Sequence, residues 1–239
     1  MNEPATPAAD PHVIVGGSGG IGGELTRRLL NRGNRVVVIS RTTGDLNLEA
    51  TGLTHVVADV CDAFPVDALP DRIAGLAYCP GSINLGPLRG VKPEALRDEF
   101  NLNVVGAVRA IQAAQRGLKA AGGSVVLFST VAVGQGMPMH ASVASVKGAL
   151  EGLTRSLAAE LAPAIRVNAI APSLTDTPLA ARLLSSEERR DAMAKRHPLG
   201  RVGTAADVAA VAEFLLAGES TWITGQVIGV DGGLSTLRV

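Results

Sequence analysis

The chain has 239 residues, with 22 lysines and arginines against 22 aspartates and glutamates, so its formal net charge is zero. This balance argues against nucleic acid or another polyanion as the main partner. The length suits a single α/β domain. No apolar run is long enough to span a membrane, and we expect a cytoplasmic protein that does not contact a membrane.

Cysteine and histidine usage excludes two further classes of protein. The two cysteines, Cys61 and Cys79, are too few for a disulfide framework, and we expect both to stay reduced. The four histidines are scattered, and since no Cys/His cluster has metal-ligand spacing, no metal site is predicted. Residues 1–11 are polar and rich in proline and alanine, without the features of a signal peptide. They predict a flexible tail before a single domain over residues 12–239.

Short apolar runs rich in β-branched residues alternate with longer helical patterns. Several runs are apolar at consecutive positions, which indicates strands buried on both faces. The predicted strands are 12–16, 35–40, 54–60, 75–79, 123–129, 165–171 and 226–232. The predicted helices are 20–32, 93–121, 141–161 and 204–217. This alternation predicts an α/β fold, a Rossmann-type doubly wound parallel sheet of seven strands with helices on both faces.

Local signals refine the boundaries of these elements. Gly33 follows the first helix as a C-cap, and Thr204 with Asp207 has the pattern of a capping box. The segment 173–200 is the least regular internal stretch. Because it follows a strand, at the edge where ligands bind in such sheets, we expect it to cover the ligand.

A glycine-rich loop joins the first strand to the first helix. It contains Gly16, Ser18, Gly20, Ile21 and Gly22 in the sequence GGSGGIG. Glycines let the backbone turn tightly and approach a pyrophosphate, whose charge is stabilised by the helix N-terminus. The loop therefore predicts a dinucleotide site, the alternative being a glycine-rich turn without a ligand.

The spacing Gly16-x-x-x-Gly20-x-Gly22 resembles the short-chain dehydrogenase/reductase family, and the resemblance extends over nearly the whole chain. Asn103, in NLNVVGA, matches the family's helix asparagine. GSVVLFST leads to Thr130 at its serine position, and Lys147 matches the lysine of its YxxxK motif. The resemblance implies hydride transfer between a nicotinamide dinucleotide and a carbonyl or alcohol carbon.

The same resemblance outlines the rest of the cofactor site. Asp59-Val60 looks like the family's adenine-contacting pair, and IRVNAIAPSLTDTP resembles the stretch that closes over nicotinamide. The predicted cofactor-binding residues are Gly16, Ser18, Gly20, Ile21, Gly22, Ser40, Arg41, Asp59, Val60, Pro80, Gly81, Lys147, Pro172, Ser173, Thr175 and Thr177.

The end of the second strand bears on the choice between NAD(H) and NADP(H). An acidic residue there would bind the ribose 2′-hydroxyl of NAD, but this chain has Ser40 followed by Arg41. A guanidinium can pair with the 2′-phosphate of NADP. We therefore favour NADP(H), with NAD(H) as the alternative; Gly19 stands where the family often has a second basic residue.

Val143 occupies the tyrosine position of YxxxK, and the only tyrosine in the chain, Tyr78, lies elsewhere. In the family, a phenol transfers the proton while hydride moves, which valine cannot do. His140 shares a helix face with Val143 and Lys147 by spacing, and imidazole titrates near neutral pH. We therefore predict catalytic roles for Lys147, Asn103, Thr130 and His140. The alternative is that His140 is a partly buried loop residue.

The sequence thus predicts an oxidoreductase with an atypical proton donor. Two alternatives remain open: a dinucleotide-binding sensor or scaffold without redox turnover, and a non-redox enzyme on the same scaffold. The loops after residues 81, 130 and 173 are mostly apolar and suit a small or moderately apolar substrate. Small residues assigned to the outer faces of two helices (Ala110, Ala113, Ala114, Ala149 and Gly152) resemble the family's subunit contacts and predict a homotetramer, or failing that a dimer.

Overall fold

A computed structural model describes residues 9–238. Its strands are β1 (His12–Val15), β2 (Val36–Ser40), β3 (Leu53–Val57), β4 (Gly75–Tyr78), β5 (Ser124–Phe128), β6 (Arg166–Pro172), β7 (Thr175–Asp176), β8 (Gly203–Thr204) and β9 (Val227–Val230). Seven of them form one parallel sheet in the order β3-β2-β1-β4-β5-β6-β9, and β7 pairs with β8. The predicted doubly wound sheet of seven strands is confirmed.

The helices cover both faces of the sheet. They are α1 (Gly20–Asn31), α2 (Pro93–Phe100), α3 (Gly106–Ala121), α4 (Ala141–Leu161), α5 (Glu187–Ala194) and α6 (Ala205–Leu216). One hydrophobic core joins the sheet to α3 and α4, and the other joins it to α1 and α6. Neighbouring residues of β2 enter opposite cores, which explains why its sequence is apolar at consecutive positions.

Most predicted boundaries agree with the structure to within a few residues. Gly33 has the left-handed φ of +78° expected after a helix. The Thr204 hydroxyl accepts from Asp207 N and the Asp207 carboxylate accepts from Thr204 N, so the capping box is confirmed. Residues 1–8 of the predicted tail lie outside the described residues. Within the described part of the tail, an Asp10 carboxylate oxygen lies 2.9 Å from the Arg72 guanidinium.

Two predictions about the helices are wrong. The predicted helix 93–121 is interrupted by a π-helical segment, Asn101–Val105, between α2 and α3. Ala110 and Ala114, expected on an outer face, are 0% and 1% exposed and pack in the core beneath α3. Their small side chains bring α3 close to the sheet, whereas Gly152 is exposed on α4 as expected.

Candidate functional site

The glycine loop turns at the carboxyl end of β1 and leads into α1. A Cβ on Gly22 would lie 2.3 Å from the carbonyl oxygen of Gly16, so the loop can close only around a glycine there. Gly16 and Gly20 have φ values of +73° and +53°. Within residues 9–238, no side chain caps the N-terminus of α1. Its first backbone N–H groups therefore fit the negative charge of a pyrophosphate.

A cleft of about 640 Å³ extends from this loop across the carboxyl ends of the strands. Its lining includes most of the residues predicted to bind the cofactor. They are Gly16, Ser18, Gly20, Ile21, Gly22, Ser40, Arg41, Asp59, Val60, Pro80, Gly81 and Thr177. Because β3 ends at Val57, Asp59 and Val60 belong to the loop that follows it rather than to the strand. These residues come from five segments that are far apart in the sequence.

The end of β2 forms one side of this cleft. The Ser40 hydroxyl donates to Thr42 O at 2.9 Å and also lies 2.9 Å from His55 Nε2. Because the Ser40 proton is used by Thr42, His55 Nε2 is the donor in the second contact. Arg41 is exposed and lines the cleft, so its guanidinium can reach a phosphate held there.

A second cavity of about 420 Å³ adjoins the cleft, with Ile21, Gly81 and Thr177 shared between them. It brings together the remaining predicted residues except Asn103. They are Thr130, His140, Lys147, Pro172, Ser173 and Thr175. Leucine and methionine side chains from the loops after β4, β5 and β6 complete its wall, together with Val143, and we call it the apolar cavity.

Lys147 and Asn103 meet beneath Gly81, between the two spaces. Lys147 Nζ and Asn103 Oδ1 each lie 3.3 Å from the point where a Cβ on Gly81 would be. Lys147 Nζ donates to Phe128 O at 2.9 Å, and burial lowers the pKa of this lysine to about 8. Asn103 Nδ2 donates to Glu99 O at 2.9 Å. Among the described residues, buried Asn103 Oδ1 has no hydrogen-bond partner, so it can accept from a bound ligand or a water.

His140 is the N-cap residue of α4, so it lies at the start of the helix rather than within it. Its Nδ1 lies 2.7 Å from Pro138 O, and because a carbonyl only accepts, Nδ1 carries a proton. Nε2 is then the nitrogen that can serve a ligand in the apolar cavity. Ser142 donates to Glu99 instead of facing this cavity.

Two polar groups near the site were missed by sequence reasoning. Glu99 is buried and accepts from Ser82 and Asn84. His197 is buried in the segment 173–200, where its Nε2 lies 2.8 Å from the hydroxyl of Ser173. His197 could have been identified from the sequence, because it lies in the segment expected to cover the ligand. Glu99 could not, because in the sequence it resembles an ordinary residue on a helix surface.

Residues 9–238 lack two kinds of feature. None of the helices there is both long and apolar enough to cross a membrane. That part of the chain also holds no group of three or more His, Cys, Asp or Glu side chains arranged to bind a metal ion.

Comparison with known proteins agrees with this geometry. The family profile described as Enoyl-(Acyl carrier protein) reductase matches residues 16–235. The chain is 35% identical to the L-xylulose reductase of Bos taurus over 92% of this chain and 94% of that protein.

Solved structures give the same result. A short-chain type dehydrogenase/reductase from Mycobacterium ulcerans has a TM-score of 0.87 and 31% identity, covering 97% of this chain and 91% of that one. ElxO with NADP bound has a TM-score of 0.87 and 26% identity, covering 96% of this chain and 100% of that one. The chain therefore belongs to the short-chain dehydrogenase/reductase family, a family of NAD(P)-dependent oxidoreductases.

Proposed function

We propose that the protein is an NADP(H)-dependent oxidoreductase that interconverts a carbonyl and an alcohol, with His140 as its proton donor. The observation that carries the proposal is the shared apolar cavity of His140, Val143 and Lys147. Val143 has no proton to give at the family's tyrosine position, and His140 supplies a titratable nitrogen on the same cavity wall.

In this proposal, the proton moves between His140 and the substrate oxygen. Pro138 O holds Nδ1 of His140, which fixes the ring and directs Nε2 to the substrate. In the reducing direction, the protonated Nε2 gives its proton to the substrate oxygen, and in the oxidising direction neutral Nε2 removes it. The Thr130 hydroxyl, on the same cavity wall, holds that oxygen by a hydrogen bond.

The cofactor would be held by the glycine loop and by Lys147, whose ammonium can donate to the nicotinamide ribose. When bound, NADP(H) supplies or accepts the hydride. Arg41 supports the choice of NADP(H), because its guanidinium lines the cleft beside Ser40, where an NAD-selective site would have a carboxylate. The bound NADP of the related ElxO structure agrees with this preference.

The substrate we propose is a small or moderately apolar carbonyl compound or the corresponding alcohol. Leu85, Met137, Leu179 and Met193 are among the apolar side chains around the cavity. Desolvating such a wall favours an apolar substrate body, whereas Thr130 and His140 are placed to hold one oxygen.

The proton donor is tested by following NADPH oxidation with a panel of aldehydes and ketones. We expect His140→Ala to lower kcat by about 10²–10⁴-fold without weakening NADPH binding, because only the proton donor is removed. Ser145→Ala, an exposed change in the first turns of the same helix, is the matched control. Equal rates for His140→Ala and the wild type would remove His140 from the mechanism.

NADPH binding without turnover of any carbonyl in the wild type would instead favour a dinucleotide-binding protein without redox activity.

The cofactor preference has its own test, which is titration of NADPH and NADH fluorescence. We expect Arg41→Ala to weaken NADPH binding about tenfold and to leave NADH binding nearly unchanged, since one phosphate contact is lost. Arg89→Ala, which lies outside the cleft, is the control. Equal losses for both dinucleotides would contradict the assignment.

We also propose a homotetramer, with a dimer as the alternative. Gly152 is exposed on α4, and its missing side chain allows a second helix to approach closely. Light scattering after size-exclusion chromatography measures the assembly directly. Gly152→Glu is expected to reduce the assembled mass, and a monomeric wild type would contradict the proposal.

A further inference from the structure

A buried carboxylate lies beside the site and has no role in the mechanism above. Glu99, on α2, is 3% exposed. Its Oε1 accepts from Ser82 Oγ at 3.1 Å and from Asn84 Nδ2 at 2.7 Å, and its Oε2 accepts from Ser142 Oγ. Hydrogen bonds to both oxygens stabilise the charged form of a carboxyl group.

These bonds join three segments around the carboxylate. Ser82 and Asn84 follow β4, Glu99 precedes the π-helical segment, and Ser142 lies in the first turn of α4. All three donors are neutral side chains. They satisfy the lone pairs of the carboxylate but leave its negative charge without a counter-charge, and a buried charge is costly unless it is paired.

Lys147 is the complementary case, a buried ammonium without a carboxylate in direct contact. It lies five residues beyond Ser142 on α4, and its Nζ reaches Gly81, the neighbour of Ser82. Asn103, one turn after Glu99, donates to Ser82 Oγ at 3.4 Å and to Glu99 O. The carboxylate and the ammonium therefore border one hydrogen-bonded cluster.

Two groups raise the pKa of Lys147 by their charge, the Cys79 thiol after β4 and Glu99 on α2. His140, Arg196 and His197 line the apolar cavity together with Lys147 and supply no negative charge, and Asn103 from the π-helical segment is neutral. Burial raises the pKa of Cys79 to about 12, so this thiol carries no charge near pH 8. Glu99 is then the anion that opposes the lowering of the Lys147 pKa by burial.

We propose that Glu99 is the counter-charge of Lys147, a positioning residue that keeps the lysine protonated beneath the cofactor cleft. The catalytic consequence of this pairing rests on the proposed function, but the pairing itself does not. With valine at position 143, the cavity wall above the lysine adds neither a charge nor a hydroxyl to the cluster.

Lysine NMR tests the pairing without any turnover. The chain has four lysines, so a protein labelled with [ε-¹³C]lysine gives few signals, and Lys147→Arg identifies the one of interest. We expect Glu99→Gln to lower the titration midpoint of Lys147 by about 0.5–1 pH unit, because an opposing charge is lost. Glu99→Asp, which keeps the charge, should restore most of the midpoint.

The matched control is Glu94→Gln, an exposed carboxylate on the same helix. It should leave the Lys147 midpoint unchanged. A wild-type midpoint in Glu99→Gln would overturn the proposal, and so would a Glu99 carboxyl signal, identified by its loss in Glu99→Asp, that stays protonated from pH 6 to 9. This second measurement is made on the wild-type protein, so it decides the question even if Glu99→Gln fails to fold. Neither experiment measures turnover. If His140 were not the proton donor, the proposed function would fail but the result of these two experiments would not change.

Discussion

The hydroxyl of Tyr78 donates a 2.5 Å hydrogen bond to the carbonyl oxygen of Leu102, one residue before Asn103. The only tyrosine of the chain therefore holds the π-helical segment at the point where the buried asparagine enters the site. Burial raises the pKa of Tyr78, so it stays protonated and remains a donor over the working pH range. The Tyr78 hydroxyl thus holds the backbone, and Tyr78 lines neither the cofactor cleft nor the apolar cavity.

We expect Tyr78→Phe to lower the free energy of unfolding by about 1 kcal/mol, because it removes a partly buried hydrogen bond to the Leu102 carbonyl. Urea unfolding measures the change as a lower midpoint with an unchanged slope. An unchanged midpoint would show that the bond contributes nothing to stability.

The close packing of the glycine loop leads to a second prediction, and another glycine of the same loop serves as its control. Gly22→Ala places a methyl group 2.3 Å from the Gly16 carbonyl oxygen, so the loop must move. We expect NADPH affinity, followed by fluorescence, to fall by about 5- to 150-fold, since overpacking costs about 1–3 kcal/mol. Gly19→Ala meets open space at an extended φ of −170° and should bind NADPH nearly as well as the wild type. Similar losses for the two variants would contradict this account of the loop.

Stability should depend on pH through His12, which is buried at the start of β1. Burial lowers the pKa of His12 to about 4, below its ordinary value of 6.5. The unfolded chain therefore binds a proton between pH 6.5 and 4 that the folded chain does not. The stabilising contribution is complete above pH 6.5 and is lost as the pH falls towards 4.

The free energy of unfolding lost through His12 between pH 6.5 and pH 4 is about 3 kcal/mol at most. Urea unfolding at pH 7 and pH 4.5 measures it, and His12→Phe should flatten this part of the pH dependence. Parallel curves for the wild type and His12→Phe would show that another group is responsible.

Position 143, which the family resemblance assigns to the tyrosine of YxxxK, can be tested by placing a tyrosine there. Val143 is 7% exposed and borders the apolar cavity, so a larger side chain at this position can extend into open space. In a His140→Ala background, we expect Val143→Tyr to raise carbonyl reduction by about 10²-fold, because a phenol again supplies the proton. Val143→Phe fills similar volume without a hydroxyl and should give no increase. Equal rates for the two double variants would mean that proton supply does not limit the reaction.

The fold could be predicted closely from the sequence, because buried parallel strands produce apolar runs that alternate with helical patterns. The glycine loop was predicted as well, and all the predicted site residues except Asn103 line one of the two cavities. The π-helical segment was not predicted, since its sequence continues the helical pattern of its flanks.

The environment of Glu99 was also inaccessible from the sequence, because its three donors lie up to 43 residues away from it along the chain. Ala110 and Ala114 illustrate a different ambiguity. Small side chains permit close packing on either face of a helix, and only the direction of the helix on the sheet decides which face is buried.

Placing the proton donor at His140 has a consequence for how this scaffold can diversify. In the proposed mechanism, position 143 no longer supplies the proton, and its side chain becomes part of the wall that sorts substrates by shape. Val143 lies outside the cofactor cleft and borders the apolar cavity, so a change at this position alters the wall that faces the proposed substrate. The substrate-facing wall can then vary at position 143 while the residues of the glycine loop stay the same, which makes this position a natural place to seek new selectivity.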